Sequence, residues 1–244
     1  MLALISEAWL GPYYQMTAQL NVVNPGGAAQ SPHRDYHLGF QAAKDIERYP
    51  RHVQLFSPML TLQGAIAHVD APLEAGPTLL LPFSQKYDAG YLAMNRTDVR
   101  DYFLEHHVQL PLGKGDMLFF SPALLHAAGT NRSKDIKRMV NLFQVSSAYG
   151  RAMETLDRVA MSKALYPAVL KAKADGSLNA EKIDCAIASC AEGYSFPTNL
   201  DRDPPIGGLA PKPQAVLFRE ALAAGMALSD FNALLDAHAA KRLS

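Results

Sequence analysis

Two histidines and an aspartate carry the chemistry this sequence could do. His33 and Asp35 stand two apart in Ala29-Gln30-Ser31-Pro32-His33-Arg34-Asp35-Tyr36-His37-Leu38, just after a Pro-Gly-Gly turn. On extended backbone, residues two apart point to the same side, so an imidazole and a carboxylate arrive at one point together. A metal site needs a third ligand, and the candidate is His126, which closes Phe119-Phe120-Ser121-Pro122-Ala123-Leu124-Leu125-His126. Two histidines and one carboxylate form the facial triad of non-haem Fe(II) sites, which leaves coordination positions open for a co-substrate and O₂. The plainer alternative makes His-x-Asp a surface turn and His126 a core histidine beside Leu124 and Leu125. His106 and His107 are rival third ligands, in a polar stretch that reads as surface.

The flanking residues bear on this choice. His126 is followed by Gly129-Thr130-Asn131-Arg132-Ser133 and then by Arg138-Met139-Val140-Asn141-Leu142-Phe143. Upstream stand Gly76-Pro77-Thr78, Leu81-Pro82-Phe83-Ser84, and Gly115-Asp116 leading into Phe119-Phe120. In this order, over residues 13 to 147, the chain resembles the phytanoyl-CoA dioxygenase family of Fe(II)/2-oxoglutarate oxygenases.

That resemblance implies a double-stranded β-helix, or jelly roll, with His33, Asp35 and His126 as iron ligands. It implies Fe(II), 2-oxoglutarate and O₂ as cofactor and co-substrates, and hydroxylation of a small molecule with release of succinate and CO₂. The far carboxylate of 2-oxoglutarate calls for a planar bidentate cation, which favours arginine over lysine. The family places such an arginine near Arg138, on the strand after His126; Arg132 is the competitor, with a salt bridge in a turn as its plainer role. A carboxylate at Asp35 argues for hydroxylation or another ordinary ferryl outcome, because related halogenases vacate that position for chloride. Gln19, Asn21, Thr78, Ser121 and Ser133 are candidates to support the ligands and co-substrate, each with a structural role as the alternative. Tyr36, His37, Gln63 and Phe83 could line a substrate pocket. Where many relatives have Gly-Ser-His, this chain has Phe83-Ser84-Gln85, which gives Gln85 no assured role. Only 32 residues precede His33, fewer than relatives carry, so either a shortened form or a numbering that starts inside a longer protein is expected. Two other classes stay open: a cupin-like metal protein that does not use 2-oxoglutarate, and a non-catalytic jelly roll with a vestigial triad.

Composition narrows the setting. The chain has 244 residues, of which 49% are hydrophobic, enough for a large core. Lys+Arg and Asp+Glu are 23 each, so no basic excess points to nucleic acid or an anionic membrane. Cys185 and Cys190 fit neither a zinc motif nor a disulfide framework. The N-terminus lacks the basic start of a signal peptide. No apolar run reaches the ~20 residues of a membrane span. A cytoplasmic location is expected, with a small-molecule substrate as the partner.

The elements must position these side chains. Residues 2 to 10 read as a short helix and Tyr13 to Val23 as a strand. Thr17, Gln19 and Asn21 share one face of that strand, turned either to a polar cavity or to solvent. A short helix is expected within residues 40 to 51. Strands follow at Leu60 to Asp70 with a glycine break, around Leu79-Leu80, at Val108 to Leu112, at Met117 to Phe120 and at Lys137 to Ser147. An amphipathic helix lies within residues 88 to 105. Short strands with Gly, Pro and Asp punctuation suggest a double-sheet jelly roll. From Arg151 the chain turns helical: Arg151 to Lys173, kinked or split at Pro167; Asn179 to Ala191, capped by Asn179; then Gln214 to Gly225; and Ser229 to Lys241, started by Ser229 and Asp230. The expected fold is mainly β with α, a jelly-roll core over residues 1 to 149. A helical extension over 150 to 244 packs on that core and could serve a homo-oligomer contact.

Overall fold

The computed structural model describes residues 1–148, 150–151, 155–196, 198–208 and 210–243. It forms two compact units, one built on Thr17–Ser146 and the other on Met1–Met16 together with the chain from 155 onward. The first sixteen residues cluster with the C-terminal helices. Tyr149 itself lies outside the described residues.

The first unit is organised by two antiparallel sheets. Its strands are β1 (Gln15–Val23), β2 (Thr61–Ala67), β3 (Leu79–Leu80), β4 (Val108–Gln109), β5 (Met117–Phe120), β6 (His126–Ala127) and β7 (Arg138–Ser146). One sheet runs β1-β7-β2-β5 and the other β4-β3-β6. β2 is an inner strand, buried or half-buried along its whole length, so its burial does not alternate. It pairs Gln63 with Gln144 on β7 and with Phe120 on β5. Gly64 does not break the strand as expected. It makes room: a Cβ there would sit 2.5 Å from the Phe119 ring. Phe119 and Phe143, both paired with Gly64, stack with centroids 6.4 Å apart.

Parity along these strands fixes which side chains share a face. Gln63, Ala65 and Ala67 of β2 lie with Arg138, Val140, Leu142 and Gln144 of β7 and with Phe120 of β5. Thr17 of β1 joins that face, since its hydroxyl donates to the Gln144 side chain at 3.4 Å.

Short helices frame the sheets: α2 (Ala43–Ile46), α3 (Arg51–Phe56), α4 (Gly90–Ala93) and α5 (Thr97–His106). One apolar cluster joins Leu79, Leu81, Leu125 and Ala127 to Met94 and Phe103. It holds β3 against β6, the strand that carries His126.

The second unit holds α1 (Leu2–Leu10), α6 (Arg158–Ala174), α7 (Ala180–Cys190), α8 (Gln214–Ala224) and α9 (Leu228–Ala240). Its core stacks Tyr166 on Phe231 at 3.9 Å and sets Phe218 edge-on to both. The helix expected from Arg151 begins at Arg158; residues 152–154 of that expectation lie outside the described residues. α6 runs through Pro167 and is not split there. Tyr166 and Val169, both buried in the bundle core, hold the helix on either side of the proline. Asn179 caps α7 as its type suggests, accepting from the Lys182 N–H at 3.0 Å. α9 starts one residue before Ser229, with Ala227 at the cap, so neither Ser229 nor Asp230 caps it.

Candidate metal centre

Backbone pairing sets the two imidazoles side by side. His33 N–H donates to the His126 carbonyl at 2.9 Å, and His126 N–H donates to the His33 carbonyl at 3.1 Å. Such a reciprocal pair places both side chains on one side of the strands. The two rings accordingly lie 4.5 Å apart. Asp35, two residues on, returns to the same side, and its N–H is fixed by the Pro122 carbonyl at 3.2 Å.

Immediately past Asp35 the backbone reverses. Tyr36 and His37 adopt φ of 62° and 37°, left-handed values that cost of order 1–3 kcal/mol each in non-glycine residues. The turn closes with Gly39 N–H on the Tyr36 carbonyl. The strain sits next to a ligand candidate, where the surrounding packing must over-determine it.

The tautomers of both rings are settled by geometry. His33 Nδ1 lies 2.7 Å from the Ser31 carbonyl and His126 Nδ1 2.8 Å from the Leu124 carbonyl. A carbonyl oxygen can only accept, so each Nδ1 carries the hydrogen and each Nε2 presents a lone pair. Those lone pairs face a carboxylate: His126 Nε2 stands 3.2 Å from Asp35 Oδ2 and His33 Nε2 3.6 Å from Asp35 Oδ1. Three acceptors thus converge, with ligand atoms all within 4.8 Å of one another. A proton can fill such a gap only by making one ring an imidazolium; a metal ion fills it with both rings neutral. Donors at about 2.1 Å from one ion and at right angles lie about 3 Å apart, which suits these separations. The donor set therefore fits a divalent metal.

Electrostatics favour the same protonation states. Burial, with the His126 ring adding to it, holds the His33 imidazole below its usual value, so the ring is neutral. Burial alone would raise the Asp35 carboxyl. The neighbouring His126 ring first, then His33 and the Gln63 amide, hold it below the usual range, so it is ionised.

Arg138 opens β7 on the sheet face that also carries Gln63. It is buried, and burial depresses its guanidinium, with no charged neighbour among the described residues to offset the effect. Its contacts among the described residues are long hydrogen bonds to the carbonyls of Ala75 and Gly129, at 3.4 and 3.5 Å. A buried cation with no carboxylate beside it is costly unless an anion comes to it. The backbone behind it is tight. Gly76 at φ 70° packs on the Gly129–Thr130 backbone, where a Cβ would lie 2.4 Å from the Thr130 carbonyl oxygen.

The other candidates scatter. Arg132 is exposed, and its backbone N–H donates to the Glu74 carbonyl. Ser133 donates to the buried Asn131 side chain at 2.6 Å, a turn-building role. Ser121 likewise serves its own turn, accepting from Ala123 N–H. Thr78 is half-buried just before β3. Gln19 and Asn21 share the sheet face of Gln144 but are exposed there, so β1 does not close that face into a polar cavity. His106 and His107 bond back to carbonyls of α5, at Tyr102 and Phe103. Tyr36 is fully buried, Phe83 is 71% exposed, and Gln85 is exposed. His37 bonds the Ser57 hydroxyl at 2.8 Å.

Two residues matter more than the sequence suggests. Gln63, expected only as pocket lining, donates to Asp35 Oδ2 at 2.6 Å. Arg34, the middle residue of His33-Arg34-Asp35, points the other way and is 3% exposed. Its guanidinium donates to the carbonyls of Ser84 and Tyr87, lies over the Tyr91 ring, and leaves room only for a glycine at position 90. Alternation along an extended segment is the signal that separates it from its neighbours, but nothing in its type announces the burial.

The family model for phytanoyl-CoA dioxygenase matches residues 2–139, a span that includes His33, Asp35, His126 and Arg138. "Dioxygenase cdmD" of Talaromyces verruculosus is 29% identical over 128 residues, covering 52% of this chain and 38% of that protein. "Iron/alpha-ketoglutarate-dependent dioxygenase ausU" of Aspergillus calidoustus is 29% identical over 141 residues, covering 56% of this chain and 41% of that one. The solved structure of AviO1 from Streptomyces viridochromogenes is 18% identical, covers 62% of this chain and 58% of its own, and superposes with a TM-score of 0.43. The chain spans less than half the length of these curated relatives.

Proposed function

This chain belongs to the phytanoyl-CoA dioxygenase family, and from that premise we propose that it is an Fe(II)- and 2-oxoglutarate-dependent dioxygenase that hydroxylates a small organic substrate. The two antiparallel sheets are then the two halves of a double-stranded β-helix, with the metal held between His33 and His126 of one sheet and the Gln63 face of the other. The observation that carries the reading is the convergence of two Nε2 lone pairs and a carboxylate, each Nδ1 being committed to a backbone carbonyl.

In this reading His33, Asp35 and His126 hold the iron. Arg138 receives the far carboxylate of 2-oxoglutarate in a bidentate contact, which satisfies its buried guanidinium. Iron, when bound, supplies the activation of O₂: one oxygen atom goes to 2-oxoglutarate, which leaves as succinate and CO₂, and the other enters a C–H bond as hydroxyl. Arg132, exposed on its loop, is not needed for this. The reading assigns the chemistry to the sheet-bearing part of the chain and none to the C-terminal helices.

The test needs no known substrate. Protein loaded anaerobically with Fe(II) and 2-oxoglutarate, then exposed to O₂, is assayed for succinate. Slow succinate release is expected from the native chain and loss of it from His126→Ala and Arg138→Ala. Metal binding that survives in Arg138→Ala, with no 2-oxoglutarate dependence in the native protein, would instead favour a cupin-like metalloprotein.

A further inference from the structure

One side chain beside the metal ligands is half used. Gln63 extends from the central strand β2 and gives its amide nitrogen to Asp35 Oδ2 at 2.6 Å. Its other end, Oε1, is buried and has no hydrogen-bond partner among the described residues. A glutamine kept for packing or for joining strands would be expected to satisfy both ends. This one gives up its acceptor to place its donor on the carboxylate.

The contact settles how Asp35 is presented. The carboxylate sits between two imidazoles, with His126 nearest Oδ2 and His33 nearest Oδ1. Nothing in the Asp35 backbone prevents the terminal torsion from turning, because such torsions are broad. The Gln63 donor supplies the restraint. Gln63 is itself held firmly. It is paired with Gln144 on one side and Phe120 on the other, and Phe120 lies edge-on to the His126 ring at 4.9 Å.

We propose that Gln63 is a positioning residue of the metal centre, fixing the Asp35 carboxylate in the orientation that binds the ion. The proposal rests on the metal-site reading above. Partners that orient ligating carboxylates typically change metal affinity by about 10–100-fold when removed.

The probe is Fe(II) alone, titrated anaerobically in competition with a coloured chelator, and then 2-oxoglutarate added to the iron-loaded protein. Gln63→Met keeps the shape of the side chain and removes the donor. It is expected to weaken Fe(II) binding about 10–100-fold and to shift the 2-oxoglutarate charge-transfer band, with the thermal midpoint of the metal-free protein unchanged. Gln63→Asn keeps an amide but draws it back by one methylene, and is expected to weaken binding as well. Gln144→Met, on the neighbouring strand and out of contact with Asp35, is expected to bind as the native chain does. Native affinity in Gln63→Met, or equal losses in Gln63→Met and Gln144→Met with lowered metal-free midpoints, would overturn the assignment. Failure of the native chain to bind Fe(II), or binding that survives His126→Ala, would instead remove the metal-site reading and the assignment with it.

Discussion

Arg138 and Gly64 show how single residues bear on the site at different distances. Arg138 is a buried cation whose hydrogen bonds among the described residues are two long ones to carbonyls. Replacing it by lysine keeps the charge but loses the planar pair of donors that a carboxylate would engage. Arg138→Lys is therefore expected to raise the 2-oxoglutarate concentration needed for the charge-transfer band by tenfold or more, at unchanged Fe(II) affinity. A full-strength band at native 2-oxoglutarate levels would remove Arg138 from the co-substrate site. Gly64 acts through packing alone. A methyl group there meets the Phe119 ring at 2.5 Å and the Leu118 carbonyl oxygen at 2.9 Å. Overpacking of this kind typically costs about 1–3 kcal/mol. Gly64→Ala should lower the urea midpoint accordingly, and because β2 also carries Gln63, a loss of Fe(II) affinity should accompany it.

At the scale of elements, α6 offers the sharpest prediction. Pro167 is exposed in the middle of the helix, where proline removes a hydrogen bond and costs about 3 kcal/mol relative to alanine. Pro167→Ala restores the bond but frees the unfolded chain, so a net gain of about 1–2 kcal/mol is expected in chemical denaturation. Asn179→Ala should do the opposite at α7, removing an observed cap at a cost of about 1 kcal/mol. The same helix shows why the sequence was only partly readable. A proline inside an apolar run reads locally as a break, and what overrides it is the burial of Tyr166 and Val169 against residues fifty or more positions away. Caps, by contrast, depend on neighbours three residues apart, and Asn179 was legible for that reason. Strands followed the same rule. The spacing of His33 and Asp35 announced a shared side, but which carbonyls pin their tautomers, and that Gln63 reaches Asp35, depend on pairings across sheets. Gln19 and Asn21 had the right alternation for a cavity wall, but alternation cannot tell a covered face from an open one, and β1 is the outer strand.

At the scale of the whole molecule, the proposed ligands come from chain segments 91 positions apart, so the proposed metal centre forms only in the folded state. Metal must then stabilise the fold by linkage: free metal at 100 times its dissociation constant adds about 2.7 kcal/mol. For a chain of this size that corresponds to a rise of roughly 5–10 °C in the thermal midpoint. The benefit belongs to the unit built on Thr17–Ser146, which holds all three ligands. The native chain is therefore expected to melt higher with Mn(II), a redox-quiet stand-in for Fe(II), and higher again when 2-oxoglutarate joins it. His126→Ala should lose both increments, because without the metal there is nothing for the keto-acid end to bind. Arg138→Ala should keep the first and lose the second. Equal shifts in all three proteins would mean that the metal binds elsewhere on the surface. A second increment that persists in Arg138→Ala would mean that another cation, with Arg132 the competing arginine, receives the carboxylate.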